Sequence, residues 1–189
     1  AGLSGGNSRS PAPVSVDALH ITFSSTATAG NGKTASRTTA PVNRDATKPL
    51  VGYTGNTSPY SVDQTVAITC TASDNLSGLA LSTSCASISG AAYTFALGNN
   101  SFSATATDNA GNTSAASTSF TVTVSAANIC TLVERWVDNK GIANSMCVKL
   151  TKGNYEPFRN ELSAQSGKAI STANAATLLR LVNALSSSN

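Results

Sequence analysis

One segment of this chain occurs twice, and it constrains the fold more than any other feature. Residues 101–125 alternate small or apolar side chains with hydroxyl side chains on both sides of the turn Asp108-Asn-Ala-Gly-Asn112. Residues 23–34 form a degenerate copy of its first half. The matched pairs are Phe23 with Phe102, Ala27 with Ala106, Gly32 with Gly111 and Thr34 with Thr113. Alternation with a period of two predicts strands, so the chain is expected to hold one complete β repeat and the tail of another.

The composition favours an extracellular β-protein. Charged residues make up 11% of the chain, less than half the usual roughly 25%, and Ser and Thr fill the difference. The net charge of +3 is small and spread out, with no run of Lys or Arg. This argues against a nucleic-acid partner.

Four cysteines predict disulfides. No C-x-x-C spacing occurs and the single His20 has no partner nearby, which argues against zinc. Three pairings are possible in principle. The local pairing of Cys70 with Cys85 and of Cys130 with Cys147 is predicted, because each pair lies inside one composition block. Disulfides imply an oxidising compartment, so the protein is expected to be secreted or on the cell surface.

Two further kinds of short segment bear on location and modification. No apolar run reaches the ~18 residues that cross a bilayer, and no signal peptide is present, so the chain is expected to be a mature or excised product. Asparagine sequons occur at Asn56, Asn75, Asn99 and Asn112. In a chain so rich in Ser, Thr and Asn these matches arise by chance, and no glycan is predicted.

The N-terminal quarter is expected to be incomplete as a domain. Residues 1–13 resemble a linker, and residues 14–45 form about half of a β-sandwich repeat, its C-terminal strands. Such a piece is marginal alone, so its apolar positions are interface candidates: Val16, Leu19, Ile21 and Phe23.

The next block, residues 46–125, is predicted to be a complete β-sandwich. Pro49 ends the preceding strand, and short strands follow at regular spacing. Residues 65–71 and 92–97 alternate apolar and polar side chains, as the opening hairpin does. One apolar and one hydroxyl-rich face are typical of two packed antiparallel sheets.

At about Ala126 the apolar period changes from 2 to 3.6. Helices are predicted over 127–137, 142–150 and 155–165, and a final one is predicted after an N-cap at Ser171. Its inward residues are expected to be Ala175, Leu178, Leu179, Val182 and Leu185. Residues 126–189 are thus predicted to be a separate bundle of three or four helices.

Two parts of the chain resemble known families. Residues 45–124 resemble the bacterial immunoglobulin-like repeats of large surface proteins, through Ala72–Leu79, the Asp-x-Ala-Gly-Asn turn and Phe120–Val124. Residues 155–185 resemble small helical modules of the FIMAH type, through Phe158-Arg-Asn-Glu-Leu162 and Gln165-Ser-Gly-Lys168. The resemblance implies an immunoglobulin-like sandwich with a helical closing module, in extracellular adhesion or spacer roles without chemistry.

Asp74 and Asp108 each lie in an Asp-Asn turn before a glycine. Carboxylate and amide oxygens suit calcium, but the same residues are typical of turns, in which Asp and Asn bond their own backbone. Since each turn offers one carboxylate and calcium needs six or more oxygens, turn chemistry is preferred and no metal or cofactor is predicted.

No catalytic set is predicted either. Glu134, Glu156 and Glu161 are expected on polar helix faces, and one histidine does not make a Ser/His/Asp set. Trp136 could stack on a sugar, but its spacing from Ile129 predicts a core position. The chain is therefore expected to be no enzyme.

Two functions remain open at this point. The first is a structural or adhesion module that acts as a spacer or stalk, with neighbouring domains or a surface or matrix polysaccharide as partners. The second is a filament subunit in which a strand of another copy completes residues 14–45. No membrane span is expected in either case.

Overall fold

The computed structural model describes residues 16–187. Residues 1–13, predicted to be a linker, and the start of the predicted strand at Val14 lie outside them. The strands are β1 (Ala18–Ile21), β2 (Ser24–Thr28), β3 (Thr34–Thr38), β4 (Val42–Arg44), β5 (Leu50–Thr54), β6 (Tyr60–Ser61), β7 (Thr65–Ser73), β8 (Ile88–Ala91), β9 (Gly98–Thr107) and β10 (Thr113–Thr123). The helices are α1 (Ala126–Trp136), α2 (Lys140–Thr151), α3 (Tyr155–Gln165) and α4 (Thr172–Ser187).

Strands β1 to β4 form a two-stranded antiparallel ribbon, called the N-terminal ribbon below. β2 pairs with β3 from Ser24↔Thr38 to Thr28↔Thr34, and β1 pairs with β4. The two pairings are linked by the Phe23 carbonyl, which accepts a bond from the Thr39 amide at 2.9 Å. All residues of β2, β3 and β4 are exposed, so the ribbon buries little of its own surface.

The remaining strands form two three-stranded sheets with the orders β5-β7-β8 and β6-β10-β9. Their apolar faces follow the predicted alternation, since Val66 and Ile68 in β7 and Ala104 and Ala106 in β9 are buried. The short strand β6 pairs with β10 in parallel, which differs from the antiparallel expectation.

Polar side chains cap the N-termini of α1, α2 and α4. Ser125 Oγ accepts a bond from the Asn128 amide, and Asn139 Oδ1 accepts bonds from Gly141 and Ile142. Ser171 Oγ accepts one from Asn174 at 3.2 Å, as the predicted N-cap should. The α3 bounds are those that the apolar spacing predicts.

The chain divides into two compact units. Unit one comprises the described positions up to Val51, Thr71–Cys85 and Thr105–Ala115, and unit two comprises Gly52–Cys70, Ala86–Ala104 and the chain from Ala116 onward. In unit two, strand residues such as Phe120 and Ile68 belong to one buried cluster with helix residues such as Leu132 and Leu178. The helices therefore share a core with strands, whereas the sequence predicts a separate helical domain.

Two local predictions are wrong. The alternating segment Ala92–Leu97 begins with a single 3-10 turn at Ala92–Thr94 and is no strand, although Phe95 and Leu97 still pack against the core. Leu179 is 41% exposed, and Leu181 takes the inward position in α4 because the helix is rotated relative to the expected face.

Candidate functional site

The candidate site lies in unit one and is built on the Asp108–Asn112 turn. The Asp108 amide donates to the Asn112 carbonyl at 3.1 Å, and Gly111 takes a φ of 93°, a conformation that favours glycine. Asp108 Oδ1 accepts bonds from the amides of Ala110 (2.9 Å) and Asn112 (2.8 Å), and Oδ2 accepts one from Asn112 Nδ2 at 2.7 Å. The Asp108 carboxylate is thus satisfied within its own turn.

The second component is the turn that begins at Asp74. Asp74 Oδ1 accepts bonds from the amides of Leu76 (3.1 Å) and Gly78 (2.7 Å). The two turns are bonded to each other, because the Asn109 amide donates to the Gly78 carbonyl at 2.9 Å and Asn109 Nδ2 to the Ser77 carbonyl at 2.8 Å.

The third component is Asp45, immediately after the N-terminal ribbon. Its Oδ2 accepts a bond from the Ser77 amide at 3.0 Å, and its carbonyl accepts one from Asn112 Nδ2 at 3.2 Å. Further along, Ser114 Oγ donates to the Pro49 carbonyl at 2.6 Å. Side chains and amides of both turns therefore hold the segment 45–49, which is called the junction below.

Asp17, immediately before β1, contributes to the same junction. Its Oδ1 accepts a bond from the Ala46 amide at 2.6 Å, and Oδ2 accepts one from the Thr47 hydroxyl. The bond from Thr47, followed by that from Ala46, holds the pKa of the Asp17 carboxyl below its ordinary value. The junction is thus held by Asp17, immediately before β1, as well as by both turns.

Electrostatics at the site are set by three acids and few bases. Oxygens of Asp45, Asp74 and Asp108 lie within 4.8 Å of one another.

Basic residues are absent from the middle of the sequence. Positions 49–134 contain no Lys, Arg or His, so the positive charge is confined to the two ends of the sequence and is not spread out as the composition suggests. Burial alone would raise the pKa of Asp108, which is 1% exposed, but the bonds from Asn112, Ala110 and Gly111 outweigh it and lower that pKa.

The three carboxylates could offer oxygens to a hard cation. Each of them already accepts bonds from at least two N–H groups, which supply the compensating partial charge. Calcium at Asp74 and Asp108 stays the less favoured alternative to turn chemistry, and the structure adds Asp45 as a third oxygen donor. A second group of candidate metal ligands comprises Glu134, Cys130 and Cys147. Because the two cysteines form a disulfide, they offer no thiolate to a metal ion.

A groove of about 310 Å³ lies beside the junction. Its lining includes Leu19 of the ribbon, Arg44, Asp45 and Leu76. Of the interface candidates, Val16 is 66% and Leu19 62% exposed, whereas Ile21 and Phe23 are half-buried.

The cysteines and the remaining candidates have structural surroundings. The structure contains the disulfide Cys130–Cys147, which links α1 to α2, and Cys70 and Cys85 are also disulfide-bonded. Trp136 packs against the core, with its ring 5.0 Å from that of Tyr93 in an edge-to-face contact.

The helix carboxylates differ from one another. Glu134 is exposed and Glu156 pairs with Arg159 at 3.2 Å, whereas Glu161 is only 21% exposed and pairs with Lys149 at 2.7 Å. Lys168, the last residue of the Gln165-Ser-Gly-Lys168 segment that resembles the FIMAH modules, is exposed.

Sequence reasoning missed Asp45 and the bridging amide of Asn112. Their partners are distant in sequence, so no local pattern predicts the contact. The spacing Asp45-Ala-Thr47 was an available signal, since Asp45 Oδ1 accepts a bond from the Thr47 amide at 2.9 Å, as in an Asx turn.

No model of a known protein family matches the chain, and no curated protein matches it. Among solved structures, it is similar to one titled "Structures of Clostridium thermocellum CbhA fibronectin(III)-like modules", with 18% identity and a TM-score of 0.29. The match covers 56% of this chain and 65% of that chain, less than two thirds of its length. A likeness this weak carries no argument about fold or function.

Proposed function

We propose that the chain is a non-catalytic structural or adhesion module of a secreted or surface bacterial protein, in which an immunoglobulin-like β-sandwich and a helical closing module act as a spacer. The observation that carries this proposal is the junction. A spacer has to hold consecutive β segments in a fixed orientation, and a flexible linker would not do so.

The junction has the properties of a rigid connection. Asp17, next to β1, accepts a bond from the Ala46 amide, and Asn112 donates one to the Asp45 carbonyl. The Ser77 amide donates to the Asp45 carboxylate. Pro49 is buried within the junction and restricts the backbone further. Ordinary linkers are exposed and rich in Gly and Ser, so these contacts favour a structural role for the segment.

The helices support the same role from unit two. Arg180 donates to the Tyr93 carbonyl, and Arg135 donates to the Asp63 carbonyl at 3.4 Å. Together with the Tyr93–Trp136 contact, these bonds attach α1 and α4 to segments that connect the strands of that unit. This is the arrangement expected of a module that closes a β domain.

Backbone relaxation measured by NMR tests the rigid junction. The amides of the ribbon and of the Asp108–Asn112 turn are expected to report one rotational correlation time in the native chain, and separate times in Asn112→Ala. Lys33→Ala, which changes the corresponding position of the ribbon turn, is the control and should leave one time. Independent motion of the ribbon in the native chain would contradict the proposal.

An assembly subunit is the second candidate function, and the exposed ribbon favours it. β2 and β3 are wholly exposed, and both edges of a two-stranded ribbon present unpaired backbone groups. A strand from a neighbouring copy could pair there and cover Leu19 and Val42, which are 62% and 49% exposed.

The mass of non-reduced native material separates the two candidates. The assembly function predicts a ladder of oligomers that Leu19→Ser with Val42→Ser abolishes, while Leu179→Ser, an exposed helix change, retains it. A monomer at all concentrations, with the ribbon open to protease, would rule out assembly. It would leave the spacer proposal in place.

Location and ligands are part of the proposal. Two disulfides are typical of proteins outside a reducing compartment, which supports secretion. Within the described residues, no helix has the length and apolar character that a membrane span requires. Binding of surface or matrix polysaccharide is best assayed by comparing the native chain with Arg44→Ala, which changes the groove beside the junction.

A further inference from the structure

We propose that Asn99 is a site of N-linked glycosylation, alone among the asparagine sequons of the chain. The proposal rests on the extracellular location proposed above, because the transferases that attach such glycans act on exported chains. The ligand class is an oligosaccharide carried on a lipid pyrophosphate.

The sequence does not distinguish the four sequons, but their surroundings in the structure do. The reaction needs the asparagine amide and the hydroxyl of the third residue to be accessible together. Modification of a folded chain also requires that neither group be held by a contact outside the sequon.

Asn99 and Ser101 meet both requirements. They lie in β9 two positions apart, so the alternation of the strand puts them on the same face. Both residues are exposed, and Asn99 Nδ2 donates to Ser101 Oγ at 3.1 Å. Among the described residues, this is the one side-chain hydrogen bond of either group. Asn100, between them, points its amide to the Ala96 and Gly98 carbonyls.

In the Asn112 sequon, both the asparagine amide and the hydroxyl group make hydrogen bonds to other parts of the fold. Asn112 Nδ2 donates to Asp108 Oδ2 and to the Asp45 carbonyl, and the hydroxyl of Ser114 donates to the Pro49 carbonyl. A glycan at Asn112 would therefore break the junction.

The Asn56 sequon is occupied in a similar way. Asn56 Nδ2 donates to Thr118 Oγ1 at 3.1 Å and to the Ser119 carbonyl at 2.8 Å. Its hydroxyl residue, Ser58, accepts a bond from the Thr121 amide at 2.9 Å. Both groups of the sequon are engaged with β10.

The Asn75 sequon does not meet the accessibility requirement, because its hydroxyl group is buried. Asn75 itself is exposed, but Ser77 Oγ is buried and its amide is bonded to Asp45. A transferase could reach the amide without reaching the hydroxyl.

A glycan at Asn99 would also serve the fold. β9 is the edge strand of its sheet, and residues 98–103 carry no charge and no proline, the usual protection of an edge. A solvated oligosaccharide there would hinder pairing between the edges of two copies.

The covalent step is balanced without any group from this chain besides the sequon. Asn99 Nδ2 bonds to the anomeric carbon of the first sugar. The bond from that carbon to the pyrophosphate oxygen breaks, and its electron pair leaves with the lipid pyrophosphate. One amide proton passes to a base of the transferase.

The test compares folded and unfolded acceptors. The full native chain, and the same chain reduced and unfolded, are incubated with a single-subunit oligosaccharyltransferase and a lipid-pyrophosphate oligosaccharide, and occupancy is mapped by peptide mass spectrometry. A short acceptor peptide confirms that the enzyme is active. We expect Asn99 of the folded chain to react at least about tenfold faster than the other sequons, whereas the unfolded chain should lose this preference.

Matched variants locate the site. Ser101→Thr should retain the glycan, while Ser101→Ala and Asn99→Gln should lose it with an unchanged unfolding temperature. An unmodified Asn99 in either acceptor, or equal rates at Asn112 and Asn99 in the folded chain, would overturn the proposal. Neither result bears on the rigid junction, which NMR relaxation tests separately.

Discussion

The two copies of the repeated hairpin form the same backbone turn but differ in what their side chains do. In the ribbon, the Ala29 amide donates to the Lys33 carbonyl at 2.7 Å and Gly32 has a φ of 81°. Asp108, Asn112 and Gly111 occupy the corresponding positions of the second copy, with the same backbone bond and a φ of 93°. Since Ala and Lys suffice for the turn, Asp108 and Asn112 are not needed to form it.

This comparison changes the interpretation of the Asp-x-Ala-Gly-Asn turn. From the sequence, its polar residues are explained by turn chemistry. The structure shows these turn bonds at Asp108 and adds a second role, because Asn112 Nδ2 also bridges Asp108 to the Asp45 carbonyl at the junction. The motif therefore provides attachment for a neighbouring segment, and the ribbon copy, with Lys33 in the place of Asn112, lacks that attachment.

The two copies also differ in what their phenylalanine contacts, and this difference carries the largest expected effect. Phe102 packs against the core, where it stacks on Phe120 at 5.8 Å and meets Phe95 edge-on at 6.4 Å. Its counterpart Phe23 is also half-buried, but it lies beside the exposed strands β2 and β3. Phe102→Ala is expected to lower the free energy of unfolding by about 3 kcal/mol, and Phe23→Ala by less than about 1 kcal/mol. Urea unfolding measures both. Equal losses would mean that the ribbon is covered as fully as β9, which is the outcome that the assembly function predicts at high protein concentration.

The next effect concerns the buried carboxylate of the second turn. Asp108 has a lowered pKa in the folded chain. A lowered folded pKa means that the carboxylate stabilises the fold above its ordinary pKa, about 3.9, and that this contribution is lost as the pH falls through the folded value. Asp108→Asn should thus unfold at a lower temperature than the native chain near neutral pH.

The difference between the two melting temperatures is expected to shrink as the pH is lowered from about 6 to about 2. Asp138→Asn, an exposed position, controls for the loss of one carboxylate. A difference that stays constant with pH would show that Asp108 acts through packing and not through its charge.

Loss of the contact between Asn112 and the junction is expected to lower the free energy of unfolding by a smaller amount. Asn112→Ala removes the bonds to Asp45 and Asp108, which is worth about 1–2 kcal/mol, while Lys33→Ala in the ribbon turn should stay within about 0.5 kcal/mol. Tryptic cleavage after Arg44 reports opening of the junction and is expected to accelerate about tenfold in the first variant only. The same cleavage rate in both variants would remove the distinction between the turns.

The sequence predicted most of the helices and strands but few of the contacts at the candidate site. Strong periodicity located α3 and the hairpin β9–β10, because both bury one face. The segment Ala92–Leu97 shows the limit of periodicity, since its alternating aromatics reach the core from a 3-10 turn and loop. Asp45 was not identified because its partners, Ser77 and Asn112, are brought to it only by the tertiary fold.

The smallest expected effect comes from transferring the motif to the ribbon. Ala29→Asp with Lys33→Asn recreates the side chains of the second copy, and the new carboxylate can accept bonds from its own turn as Asp108 does. If the motif serves attachment, the double variant should change the free energy of unfolding by less than about 0.5 kcal/mol, because the fully exposed β2 and β3 offer no junction to bridge. Chemical denaturation of the single and double variants measures this. A stabilisation as large as the loss in Asn112→Ala would mean that Asp and Asn act within the turn itself, and the attachment role would then have to be abandoned.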